Sequence, residues 1–64
     1  MEKENKKVIN RLRRAEGQLR GIQKMIEDEQ ECIDVITQLS AVRSGIDRVM
    51  GMIMAENLKN CFID

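Results

Sequence analysis

Cys32 and Cys61 are the only cysteines in this 64-residue sequence, and it contains no histidine. Thiols attack sulfane sulfur as thiolates and hold soft metal ions as thiolates, so a cysteine pair without imidazole points to redox or soft-metal chemistry. The stretch between them, CIDVITQLSAVRSGIDRVMGMIMAENLKNC, has no proline. Its residues Val35, Leu39, Val42, Ile46, Val49 and Ile53 alternate steps of four and three, the period of an amphipathic helix. On a straight helix the two cysteines would be about 43 Å apart along the axis and only about 20° apart around it. They share a face and cannot meet within one chain. Antiparallel packing of this helix on its own copy, about a twofold near Ile46 and Asp47, would bring Cys32 of one chain beside Cys61 of the other.

The elements that must hold those thiols are legible on both sides. Val8, Leu12, Ala15, Leu19, Ile22 and Ile26 step four, three, four, three, four, which predicts a first helix over about 5–27 with one apolar stripe. EDEQE, Glu27 to Glu31, breaks the two patterns and supplies a turn over 28–31. Its acids favour the N-terminus of a second helix over about 32–60. The expected fold is all-α: one helical domain, 1–64, folded as an antiparallel two-helix hairpin. A chain this short buries little surface alone, so two hairpins should join through their second helices as a homodimeric four-helix bundle. Met25, Met50, Met52 and Met54 read as adaptable core or interface filler. Gly17, Gly21 and Gly45 fall inside helical patterns, where glycine is costly, and suggest close approach of another backbone.

Composition narrows the function. The formal charge is zero, yet residues 1–24 carry eight basic and three acidic side chains (+5), whereas residues 25–64 carry three basic and eight acidic ones (−5). A basic segment calls for an anionic partner. Lys6 and Lys7 fall in the expected first turn, where the helix dipole disfavours cations by a few tenths of a kcal/mol each. Lys7, Arg11, Arg14 and Gln18 form one stripe beside the apolar seam. That stripe carries no aromatic residue, which argues for duplex phosphate contacts over stacking on single strands. No apolar run approaches a membrane span, and MEKENKKV lacks the apolar core of a secretory signal, so a cytoplasmic protein without membrane contact is expected. Nothing matches a phosphate-binding loop or an acid–base pair, so no enzyme and no cofactor are expected.

Arg11-Leu12, the Glu16-Gly17-Gln18 triplet with Arg20-Gly21, Cys32-Ile33-Asp34-Val35 and the run Gln38 to Val42 resemble, in order and spacing, the CsoR/RcnR family of all-helical bacterial transcriptional repressors. The resemblance implies a dimer of antiparallel hairpins, possibly a homotetramer, that binds double-stranded operator DNA and releases it when an inducer reaches an intersubunit thiol site. It places DNA contact, or its electrostatic support, on Arg11 and Arg48, beside the stripe residues Lys6, Lys7 and Arg14. The family's copper(I) sensors carry a histidine four residues before the second cysteine, where this sequence has Asn57. Its nickel and cobalt sensors need histidines, and its formaldehyde-responsive branch has a proline where Glu2 stands. The two-cysteine pattern without histidine looks like the persulfide-sensing, CstR-like branch, in which reactive sulfur species are the inducer. On that reading Cys32 attacks and Cys61 of the partner subunit resolves. The dipole at the start of the second helix favours a Cys32 thiolate, while Glu29, Glu31 and Asp34 oppose it. The alternatives are a copper(I)-responsive repressor using Cys32 and Cys61 alone, with no other metal site expected, and a helical dimerisation module whose thiols are incidental. The family's third helix has no counterpart in the residues up to Asp64, so the resemblance bears more directly on the dimer than on the tetramer.

Overall fold

A computed structural model describes residues 2–56 and contains two helices among them, α1 over Glu2–Glu27 and α2 over Cys32–Glu56. Their continuity follows from composition: neither contains proline, and α1 is rich in Glu, Lys, Arg, Gln and Leu, whose side chains lose little freedom in a helix. The boundaries at Glu27 and Cys32 match those expected from the periodicity. The expected α2 residues 57–60, with Asn57 and Cys61, lie outside the described residues. Helix α1 begins earlier than expected, at Glu2, so Lys6 and Lys7 occupy its second turn and not its first. The dipole penalty that made them conspicuous in the sequence is correspondingly weaker.

The reversal between the helices is built by the backbone. Gln30 donates its N–H to the Met25 carbonyl (2.9 Å) and Glu29 to the Ile26 carbonyl (3.1 Å), the paired bonds of a Schellman C-cap. Glu29 sits at the left-handed position of that cap with φ 57°, where glycine is the usual occupant. The Glu31 carbonyl then accepts the first N–H groups of α2, from Asp34 (3.0 Å) and Val35 (3.1 Å). The chain leaves one helix and enters the next antiparallel to it.

Between the helices the buried side chains are Val8, Ala15 and Ile22 from α1 and Val35, Val42 and Val49 from α2. Both series recur every seven residues, the spacing of a coiled-coil seam. Ala15, Ile22, Val35 and Val42 form one cluster, with Met25 and Ile46 packed against it. The antiparallel arrangement thus brings Ala15 and Ile22 of α1 together with Val35 and Val42 of α2.

Only every second member of each stripe is buried in the hairpin. Leu12 (40%), Leu19 (43%), Ile26 (58%) and Leu39 (39%) remain exposed, and Ile46 and Ile53 are half-buried. The apolar stripe is wide enough for two contacts, and the hairpin satisfies one of them. Within the hairpin a Cβ at Gly17, Gly21 or Gly45 would meet nothing within 4 Å. Contact between α1 and α2 does not require them.

Candidate functional site

On α1, Arg11, Arg14 and Gln18 follow one another at steps of three and four and therefore project from one face. On α2, Ser44 and Arg48 are likewise one turn apart. The antiparallel arrangement brings these two rows together around a cleft of about 260 Å³ lined by Arg11, Arg14, Gln18, Ala41, Ser44, Gly45 and Arg48. An adjoining hollow shares Arg11, Arg14 and Arg48 and extends toward Lys7, Asn10 and Met52. Four of the five basic residues expected to contact DNA thus line one continuous groove. The fifth, Lys6, is exposed and lines neither part.

The arginine charge in this groove has no ion-pair partner among the described residues. Arg11 is half-buried and Arg14 and Arg48 are exposed. Among the described residues none of the three arginines forms an ion pair. The pair at Lys24 and Asp28 (3.8 Å) is distant from the groove in sequence and solvent-exposed, so it contributes little. Three guanidiniums facing one hollow without a carboxylate repel one another and favour an anion between them. Sequence reasoning assigned Arg48 by resemblance alone, and Ser44 and Gly45 not at all as cleft residues. The signal for them was the antiparallel register, which sets Ser44, Gly45 and Arg48 against Arg11 and Arg14.

The thiol lies at the other end of the hairpin. Cys32 is the first residue of α2, exposed and a free thiol. It stands seven residues before Leu39, which is seven before Ile46, itself seven before Ile53, so Cys32 heads the row of α2 that the hairpin covers only in part. A surface that covers that row also reaches Cys32. Asn57 and Cys61, the other positions of the expected sensor motif, lie outside the described residues. Among the described residues no three His, Cys, Asp or Glu side chains gather as a metal site, and no helix is long and apolar enough to cross a membrane.

The model of a family described as metal-sensitive transcriptional repressors matches residues 4–64. The chain belongs to that family. It is 39% identical over 62 residues to the copper-sensing transcriptional repressor CsoR of Bacillus subtilis, covering 97% of this chain and 61% of the relative. It is 53% identical over 51 residues to the copper-sensing transcriptional repressor RicR of Mycobacterium tuberculosis, covering 80% of this chain and 53% of the relative. The chain therefore spans little more than half the length of these two relatives. Among solved structures, a copper-sensing operon regulator protein superposes with a TM-score of 0.87 at 38% identity, over 89% of this chain and 95% of that one. The all-α hairpin and the repressor family expected from Glu16-Gly17-Gln18 and Cys32-Ile33-Asp34-Val35 are thereby established, in a family of regulators and not of enzymes. The finer assignment to a persulfide-sensing branch finds no counterpart in these relatives, all three of which are named as copper sensors.

Proposed function

We propose that this chain is a cytoplasmic repressor that grips double-stranded operator DNA through the basic groove and releases it when copper(I) bridges Cys32 of one protomer and Cys61 of the partner subunit. The observation that carries the DNA half is the convergence of Arg11, Arg14 and Arg48, without a carboxylate partner, on one groove with Lys7 beside them. Arginine and lysine contacts to phosphate supply most non-specific affinity and much of the specific affinity. The working unit is a homodimer in which the outward row Leu12, Leu19, Ile26 and Leu39 is covered by a second hairpin; two such dimers could pair further as a tetramer.

The copper(I) half is supported by the names of the relatives and by the donor set. Copper(I) is soft and prefers thiolate, and two thiolates from different chains suffice to bridge it. A second reading, with reactive sulfur species as inducer, is favoured by Asn57 and by the absence of any histidine. Here a Cys32 thiolate takes the outer sulfur of a persulfide and expels its thiolate. The Cys61 thiolate of the partner subunit then attacks the Cys32 sulfur, forming a disulfide and releasing hydrosulfide.

One titration tests both halves. A fluorescent duplex recovered from a random pool by selection on the reduced protein is followed by anisotropy while copper(I), buffered by a competing chelator, or polysulfide is added. Release by buffered copper(I), lost in the Cys32→Ser, Cys61→Ser double variant, is the expected result. Release by polysulfide alone would replace the first inducer reading with the second. Selection that enriches no duplex would leave a helical interaction module.

A further inference from the structure

Outside the seam and the groove, α2 carries a further periodic row. Ile36, Ser40, Arg43, Asp47, Met50 and Met54 recur at steps of four, three, four, three and four, so they lie on one face of the helix. All six are exposed in the hairpin, including the large apolar side chains Ile36 (52%), Met50 (50%) and Met54 (42%). Leu39 and Ile46 each stand three or four residues from members of this row, which therefore continues the outward surface already given to a second hairpin. A base and an acid in the middle of such a face call for a reason. Arg43 and Asp47 are one turn apart, yet among the described residues neither forms an ion pair. Base before acid is also the poorer order for a pair within one helix, since it opposes the helix dipole.

The row is self-complementary when turned end for end. About a twofold at position 45, Ile36 falls opposite the partner's Met54, Ser40 opposite the partner's Met50, and Arg43 opposite the partner's Asp47. Apolar side chains meet at both ends and opposite charges meet in the middle, twice per dimer. That twofold lies within two residues of the one expected from the cysteine spacing. A parallel alignment would set each charge against its own kind.

We propose that Arg43 and Asp47 are the specificity-determining pair of the self-association surface: Arg43 of one protomer pairs with Asp47 of the partner subunit, and its Asp47 with Arg43 of the partner subunit. The surface thereby selects a second copy of this chain, in antiparallel orientation. This pairing rests on the homodimer reading above and names what the contact recognises. The flanking apolar side chains are non-directional and would accept many helices. The charges would not, because a partner without the reciprocal pair leaves them covered and unpaired, or opposed by like charge. Their weight therefore falls on choice of partner and register more than on total affinity.

Charge reversal tests the pair. Sedimentation equilibrium on the reduced protein compares the parent, Arg43→Asp, Asp47→Arg, the double variant carrying both changes, and an equimolar mixture of the two single variants. Native mass spectrometry of mass-labelled chains reads the composition of the dimers. Each single reversal sets like charges opposite one another twice per dimer and should weaken self-association about a hundredfold. The double variant restores opposite charges at both places, and so does a mixed dimer of the two single variants. Both should associate nearly as the parent does, and the mixed dimer should outnumber either homodimer. Should a single variant lose helicity by circular dichroism when its dimer dissociates, mixing should return it, so a failure to fold alone does not hide the result. Single variants that associate as the parent does, or a mixture and a double variant that both stay dissociated, would overturn the pairing and leave the homodimer to other contacts. A parent that is monomeric at every concentration tested would remove the homodimer reading and the pair with it.

Discussion

Arg11 of α1 and Arg48 of α2 line the same cleft from different helices, and neither forms an ion pair among the described residues. Each guanidinium therefore adds to the other's electrostatic cost in the free protein and is stabilised when an anion enters. Replacing either by glutamine should leave thermal stability unchanged or slightly higher while weakening duplex binding. The slope of log affinity against log salt should shrink by about 0.9 for each phosphate that is no longer neutralised. Lys6→Gln, outside the cleft, should change both quantities less. Equal effects at Lys6 and Arg48 would show that the charge acts as a diffuse field and not through the groove.

Glu29 offers a prediction about stability that is independent of function. Its left-handed backbone costs a residue with a Cβ about 1–2 kcal/mol, part of which glycine would return as added freedom in the unfolded chain. Glu29→Gly should stabilise the hairpin by about 0.5–1 kcal/mol, and Glu29→Val should destabilise it. At fixed protein concentration, the melting temperature should rise by several degrees for the glycine variant. A lower melting point for Glu29→Gly would mean that the Schellman cap is not the turn adopted in solution.

That turn also marks where the sequence stopped being readable. EDEQE announced a break but held no glycine or asparagine to flag a left-handed residue, so the cap at Glu29 had no signature. The helices were legible because steps of three and four recur through Val8 to Ile26 and Val35 to Ile53. The division of those stripes was not legible, because apolar periodicity records that a residue wants cover and not which neighbour supplies it. Val42 and Leu39 look equivalent in the sequence, yet the hairpin buries one and exposes the other. The basic stripe on α1 was visible as spacing. Its completion by Ser44, Gly45 and Arg48 needed the antiparallel register, a tertiary fact. Membership of the repressor family was carried by short local runs, whereas the inducer depends on Asn57 and Cys61 acting with a residue of another chain.

Val42 and Leu39 can be separated experimentally for the same reason. Val42→Ala removes two buried methyl groups from the seam between α1 and α2 and should cost about 2 kcal/mol at every protein concentration. Leu39→Ser removes an apolar side chain that the hairpin leaves exposed. It should weaken association and make the melting temperature depend more steeply on concentration. Sedimentation equilibrium reads the difference directly. Unchanged association for Leu39→Ser and Leu19→Ser would exclude the outward row as the subunit contact.

The geometry of the thiols gives the last prediction. Cys32 begins α2 and heads its partly covered row, so antiparallel pairing of two second helices through that row carries each Cys32 toward the far end of its partner's helix. A homodimer then holds two symmetry-related sites, each pairing Cys32 with Cys61 of the partner subunit. Polysulfide treatment should produce covalent dimers on a non-reducing gel. Mass spectrometry should find the Cys32 peptide joined to the Cys61 peptide, directly or through additional sulfur, and mixing of mass-labelled subunits should show that the link crosses chains. Either serine variant, Cys32→Ser or Cys61→Ser, should prevent this heterotypic link. A disulfide tolerates Cα atoms no more than about 7 Å apart. Links found only between two Cys32 residues would therefore require a parallel or staggered arrangement, and the antiparallel dimer would have to be abandoned together with its inducer site.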